Sequence, residues 1–317
     1  MSELKIFYRE NNKLKISKST SLLREIDLNN VIWIDLNNVS EEVEEELEDF
    51  LKIYVQEKEE STEIKMSSRY VQTGDSLAIN SHFLQNNYAL EPVSFILKNH
   101  TLVSVRSEDL KSFNETIKKI YANIEDFPTG QHVLVSLFEM RVEYDADVIE
   151  ELTEQITLLS KSMSTTDDKP FGKDILIEIK DLQEKVMIIR QNIMDKQRVV
   201  SSMLKGAFFH ENLHSRLSTI LKDIDALFEY TRFGFDRLDY LQDTFLGLVN
   251  LQQSRIIKIF TVVSVIFMPP TLIASIYGMN FRFMPELAWN FGYVFSIGMM
   301  ILSVAIVLVL FRKKKWL

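Results

Sequence analysis

The stretch SRIIKIFTVVSVIFMPPTLIASIYGMNF, residues 254–281, carries Arg255 and Lys258 at its start and then no charge for the 23 positions from 259 to 281. A helix crosses a hydrocarbon core in about 20 apolar residues, so the stretch predicts a transmembrane span. The segment that follows, RFMPELAWNFGYVFSIGMMILSVAIVLVLFRKKKWL (residues 282–317), has 25 uncharged positions from 287 to 311 and then Arg312, Lys313, Lys314 and Lys315. The last quarter of the chain therefore reads as two spans joined by a short loop built on Tyr277, Gly278, Met279, Asn280 and Phe281.

Flanking charge orients the pair. Arg255 and Lys258 precede the first span and four basic residues follow the second, whereas the link holds only Arg282 and Glu286. The positive-inside rule then puts both termini in the cytoplasm and residues 278–290 outside. Tyr277, Trp289 and Tyr293 near the outer ends and Trp316 at the inner end fit interfacial aromatic belts.

The first span also contains polar and small residues that a lipid-facing helix does not need. Taken in alternating steps of four and three, they are Asp243, Gly247, Asn250, Ser254, Ile257, Thr261, Ser264, Met268, Thr271 and Ser275, of which eight are polar or glycine. A 3.5-residue period belongs to helices that supercoil about a common axis. The stripe is expected to line one seam of a bundle. One helix cannot enclose an aqueous path, so a pore on this seam requires a closed ring of identical subunits. Small polar residues also pack membrane helices together or bond their own backbone, and the stripe alone leaves pore and packing evenly matched. Pro269 and Pro270 free backbone carbonyls in mid-span. Neither span has a carboxylate or histidine, which argues against a proton relay or a dehydrated metal site. Mg²⁺, which sheds its water reluctantly, can be handled through its hydration shell by neutral oxygens.

The rest of the chain is acidic. From Arg255 onward seven bases face one acid, a net of +6, which leaves −15 of the overall −9 for residues 1–254. That charge repels phosphate, so nucleic acid is not an expected partner. There is no cysteine among the 317 residues, which removes disulfides, thiolate metal sites and cysteine nucleophiles. The opening residues Met1 to Lys5 lack a signal-peptide core, so the first domain is expected in the cytosol.

Residues 1–128 mix strand and helix signals. Leu4 to Tyr8 and Lys13 to Ser17 flank an Asn11-Asn12 turn, Val31 to Ile34 reads as a buried strand, and Val93 to Leu97 and Thr101 to Val105 flank Lys98 to His100. Glu41 to Asp49, with seven acids in nine residues, reads as the solvated face of a helix. Beyond Pro128-Thr129-Gly130 the pattern is helical, with breaks near 164–172 and Gly206. Three long helices are expected, the third running from about Glu211 into the membrane, with Glu229, Asp236 and Asp243 seven residues apart along it. His210-Glu211-Asn212-Leu213-His214 matches the zincin motif, but no further histidine follows, and Asp223, Asp225 and Glu229 lie roughly 14–22 Å further along one helix. A protease is not expected, and no other catalytic arrangement is present. The domain limits are 1–128 for a cytoplasmic α/β domain, 129–253 for a helical hairpin and stalk, and 254–317 for the transmembrane part.

The loop Tyr277 to Phe281, the run Met284-Pro285-Glu286-Leu287 with Trp289, and the tail Arg312 to Leu317 together resemble the CorA magnesium and cobalt transporter family. Arg255 to Phe260 and Pro269 to Leu272 resemble its enterobacterial branch. The resemblance implies a homopentameric channel in the inner membrane, with an α/β cytoplasmic domain, a long stalk helix and two transmembrane helices. It places Gly278, Met279 and Asn280, with Glu286 as the acidic candidate, at an outer mouth that receives hydrated Mg²⁺. Asp243, Ser254, Ile257, Met268, Thr271 and Ser275 become pore-facing, with Phe260 as a hydrophobic constriction. Membrane lipids and divalent cations are the other partners. Family members close when cytoplasmic Mg²⁺ occupies carboxylates between subunits, and Asp223 and Asp225 are the candidates here. Ser254 stands where many members have Asn, and Arg282 where an acid is usual. A zinc-transporting relative and a non-conducting membrane scaffold are the alternatives.

Overall fold

The computed structural model describes residues 3–11, 13–53, 69–164, 173–206, 208–280, 282 and 284–314. These fall into two units, one ending at Gln242 and one beginning at Asp243.

In the first unit seven strands form one sheet: β1 (Glu3–Glu10), β2 (Lys13–Ser17), β3 (Val31–Asn37), β4 (Tyr70–Thr73), β5 (Ser76–Leu84), β6 (Leu90–Lys98) and β7 (Thr101–Arg106). Their order is β2-β1-β3-β7-β6-β5-β4. Among the described residues only the β3–β7 pair is parallel. The hairpins anticipated from Asn11 and Asn99 are present, and both residues take the positive φ of about 51° that such turns demand. Asn12 lies outside the described residues. The β4–β5 hairpin was not among the sequence expectations, although Gly74, with φ 55°, and Asp75 carry a two-residue hairpin signal.

Alternation along the strands feeds two cores. Ile6, Ile34, Ile96 and Val103 point to one face and pack with Leu47 of α1 (Glu41–Leu51). The acidic side chains of α1 lie on its more exposed side, as the sequence predicts. Phe7 and Trp33 point to the other face and stack at 4.7 Å. The same layer continues through Phe83, Phe95, Phe113 of α2 (Lys111–Ala122) and Phe138 of α3 (Gly130–Ser164). Residues of β3 are buried along the whole strand because both faces are covered.

That burial encloses a charge. Arg106 donates from Nη2 to Asp35 Oδ2 at 2.8 Å and from Nε to Oδ1 at 3.2 Å, and Ser104 Oγ donates to the same carboxylate at 2.8 Å. Trp33 Nε1 donates to Ser104 in turn. The network bolts the parallel pair together with its polar atoms satisfied.

Gly130 begins α3 where the helix touches the sheet. Its N–H donates to His100 O at 2.7 Å, and a Cβ there would lie 2.3 Å from the backbone nitrogen of Leu102. Gly130→Ala is expected to cost about 2–4 kcal/mol, because backbone rather than a side-chain tip must move. A fall of roughly 5–10 °C in the unfolding midpoint of the purified protein checks it.

The long helices are α3, α4 (Lys173–Lys205) and α5 (Glu211–Tyr277). Residues 165–172, where the sequence predicts the first break, lie outside the described set. In the second half of α3 the buried apolar residues are Ile149, Leu152, Ile156, Leu159 and Met163, and in the first part of α4 they are Ile179, Leu182, Val186, Ile189 and Ile193. Steps of three and four give each helix a continuous seam. Arg216 of α5 joins α3 through a two-pronged pair with Glu139, at 2.8 and 2.6 Å.

His132 sits at the α3–α5 junction, its Nδ1 2.9 Å from Thr129 Oγ1 and its Nε2 3.5 Å from Asn212 Nδ2. Burial, helped by the charges of Arg216, His210 and Arg9, lowers its pKa to about 4 from the ordinary 6.5. The unfolded chain thus takes up this proton before the folded one does. The stabilising effect is complete above pH 6.5 and is lost as the pH falls toward 4. His132→Asn is expected to flatten the decline of the unfolding midpoint between pH 6.5 and 4, measured by thermal scans in parallel with the parent.

Candidate functional site

The second unit comprises α5 from Asp243 to Tyr277, a 3-10 turn at Pro285–Ala288 and α6 (Gly292–Lys313). α5 and α6 each contain a window long and apolar enough to span a membrane, and only 6% of each window is buried inside the chain. A buried hairpin of a soluble protein would be covered. These apolar surfaces demand lipid or other subunits around them.

On α5 the ten stripe residues, Asp243, Gly247, Asn250, Ser254, Ile257, Thr261, Ser264, Met268, Thr271 and Ser275, are all exposed. Phe260, beside the stripe, is 70% exposed. The half-buried positions of the span include Val262, Ile266, Ile273 and Tyr277, which fall on another side of the helix. The chain's own packing thus leaves the polar seam uncovered. α5 continues through Pro269 and Pro270, whose missing N–H groups leave the carbonyls of Val265 and Ile266 without their usual helical donors. Thr261 and Thr271 donate their hydroxyl protons to the carbonyls of Ile257 and Phe267, both at 2.8 Å. This back-bonding commits the hydroxyl proton and leaves each oxygen free only as an acceptor, which suits the water shell of a cation.

The loop between the two apolar helices begins as α5 frays. Gly278 N–H donates to Ala274 O at 2.9 Å and Met279 N–H to Ile276 O at 3.2 Å. A Cβ at Gly278 would lie 3.1 Å from Ala274 O, so a larger residue is crowded here. Met279 and Asn280 are exposed, as are Arg282 and Glu286. Phe281 lies outside the described residues, as do Lys315, Trp316 and Leu317.

Gly292, which the sequence reading passed over, and Trp289 hold the loop. A Cβ on Gly292 would come 2.1 Å from the carbonyl oxygen of Glu286, so only glycine lets the turn rest on the start of α6. Trp289 packs on Phe295 with ring centres 5.8 Å apart. The aromatic spacing was visible in the sequence, whereas the close approach at Gly292 was not.

In the first unit Asp223 and Asp225 are exposed on α5. Two positions apart on a helix, they face different directions. Gln197 Nε2 donates to Asp225 Oδ1 at 2.6 Å. Glu229 and Asp236 are exposed as well. His210 precedes α5 and His214 lies in its first turn, and among the described residues no three His, Asp or Glu side chains are placed to hold a metal.

Residues 29–313 match the model of the CorA-like Mg²⁺ transporter protein family. The magnesium transport protein CorA of Wolinella succinogenes is 37% identical over 297 residues, covering 91% of this chain and 92% of that protein. The Escherichia coli K12 protein of the same name is 31% identical over 323 residues, covering 99% and 100%. In fold, the complete structure of the CorA magnesium transporter from Methanocaldococcus jannaschii matches with a TM-score of 0.84 at 17% identity, covering 100% of this chain and 99% of that one. With an α/β domain, long helices and two uncovered apolar helices joined by a Gly-Met-Asn loop, the chain belongs to the CorA-like Mg²⁺ transporter family.

Proposed function

We propose that this chain forms a channel for Mg²⁺ in the cytoplasmic membrane, assembled as a closed homopentamer with both termini in the cytoplasm. The observation that carries the reading is the ten-residue seam on α5, exposed throughout and running its polar residues into the apolar span that begins at Ile259. Facing inward in a ring, it supplies side-chain oxygens, the threonine ones as acceptors, along a wet path. Ile257, Phe260 and Met268 narrow that path with apolar rings. Gly278, Met279 and Asn280 form the outer mouth, where the Asn280 amide oxygens hold water of the incoming ion and Glu286 adds negative charge. Arg282 weakens that field.

Entry needs no nucleotide: a divalent ion gains about 4.6 kcal/mol per 100 mV of inside-negative potential. Cytoplasmic Mg²⁺ closes the pore by binding carboxylates between subunits. Asp223 suits this role better than Asp225, because Gln197 already occupies the latter.

The test is Mg²⁺ uptake into liposomes under an inside-negative potential. Asn280→Ala is expected to reduce the initial rate at least tenfold without changing the mass of the solubilised complex. Equal, background-level flux in parent and variant would sink the channel reading and favour a membrane scaffold.

A further inference from the structure

We propose that the cytoplasmic end of α6 is a docking surface for anionic phospholipid headgroups. One half of the helix is a broad apolar surface: Ile301, Leu302, Ile306, Val309 and Leu310 are each more than half exposed and share it, whereas Ser303, Val304, Val307 and Phe311 on the other half are partly covered. It has no polar seam like that of α5, so it fits the outer position against acyl chains. Arg312, Lys313 and Lys314 follow immediately, all exposed. Successive positions on a helix turn by about 100°, so three cations in a row present at least one toward lipid whatever the helix's rotation. Residues 287–317 contain no acid to neutralise them. The helix C-terminus offsets only about half a charge.

Cations set directly below an acyl-facing surface lie at the depth of lipid phosphates. A headgroup with net negative charge, such as phosphatidylglycerol, gains from all three, whereas a zwitterionic one cancels most of the attraction. The inference shares with the channel reading only the placement of this end in the cytoplasmic leaflet.

The experiment follows the unfolding midpoint of the full-length protein in neutral detergent as phosphatidylglycerol or phosphatidylcholine is titrated in, at low and high salt. Phosphatidylglycerol is expected to stabilise the parent, with high salt weakening the effect and soluble glycerol phosphate giving none. Each charge contributes about fivefold in affinity, so a variant with Arg312→Gln, Lys313→Gln and Lys314→Gln is expected to need on the order of 100-fold more. Arg255 and Lys258 stay intact to preserve insertion, and Lys313→Arg with Lys314→Arg is expected to behave as the parent. Equal stabilisation by phosphatidylcholine, an effect of glycerol phosphate matching that of the lipid, or an unchanged titration in the triple variant overturns the proposal. If the triple variant does not insert, the lipid and salt arms on the parent decide. The readout is independent of ion flux, so a protein that conducts nothing can still pass it, and a conducting one can fail it.

Discussion

Thr271→Lys is expected to bring Mg²⁺ uptake by the reconstituted protein down to that of protein-free vesicles. Thr271 lies on the exposed seam of α5, and its hydroxyl, bonded to the Phe267 carbonyl, keeps its lone pairs as acceptors. In the proposed ring each subunit would place an ammonium group beside the ion path. At roughly 8 Å and with the dielectric constant of water, one ammonium repels a divalent ion by about 1 kcal/mol. Five raise the barrier by about 5 kcal/mol, a slowing on the order of 10³-fold or more. Thr271→Ser, which keeps the hydroxyl, is expected to retain most of the flux. To separate a blocked path from a failure of assembly, the mass of the solubilised complex is measured for both variants. Normal mass with near-parental flux in Thr271→Lys would place the seam against another helix rather than against water.

The largest loss of stability is expected from Asp145→Ala. Asp145 of α3 is almost wholly buried and takes part in ion pairs with Arg141 and with Lys196 of α4, the latter at 3.3 Å. Asn192 Nδ2 donates to it at 3.0 Å. Burial works against its charge, but Lys196 and Arg141 outweigh that and hold its pKa below the ordinary carboxylate range. Lys196 is also fully enclosed, and burial pushes its pKa down to about 7 against the pull of Asp145. The same cations reach the sheet, since Arg141 Nη1 donates to Leu84 O at 2.7 Å and Lys196 Nζ to His82 O at 3.3 Å. Removing the carboxylate strands the buried Arg141 guanidinium and drives Lys196 to give up its proton, which together cost about 3–5 kcal/mol. A fall of roughly 10 °C in the unfolding midpoint is expected. The triple replacement Arg141→Met, Asp145→Leu, Lys196→Met is expected to recover most of it, because apolar groups of similar volume leave no charge stranded. A loss below about 1 kcal/mol in Asp145→Ala would mean that water reaches the cluster.

Much of the candidate site was legible before any fold was known, because its signals are local. Hydropathy marks the spans, flanking bases suggest their orientation, and a period of 3.5 assigns Asp243 to Ser275 to one face of a single helix. The hairpins at Asn11 and Asn99 were legible for the same reason: a turn and its two strands lie within about twenty residues. The Asp145 cluster was not. Its members stand 4, 47 and 51 positions from Asp145, and nothing near any of them in the chain announces that Arg141, Asn192 and Lys196 meet it out of water.

By itself, then, the sequence determined which segments are too apolar to remain in water, which face of α5 is polar, and the long helical course from Gly130 onward. Each follows from composition and from a repeat that a helix or strand converts directly into geometry. Only the tertiary structure decided that Asp35 and Arg106 close on each other between parallel strands, that Gly130 must lack a side chain where α3 meets Leu102, and that Gly292 must lack one beneath the Glu286 carbonyl. Those outcomes depend on which distant pieces of chain arrive within a few ångströms. The cost of a buried charge or an extra methyl group is set at that meeting point, and no residue carries it alone.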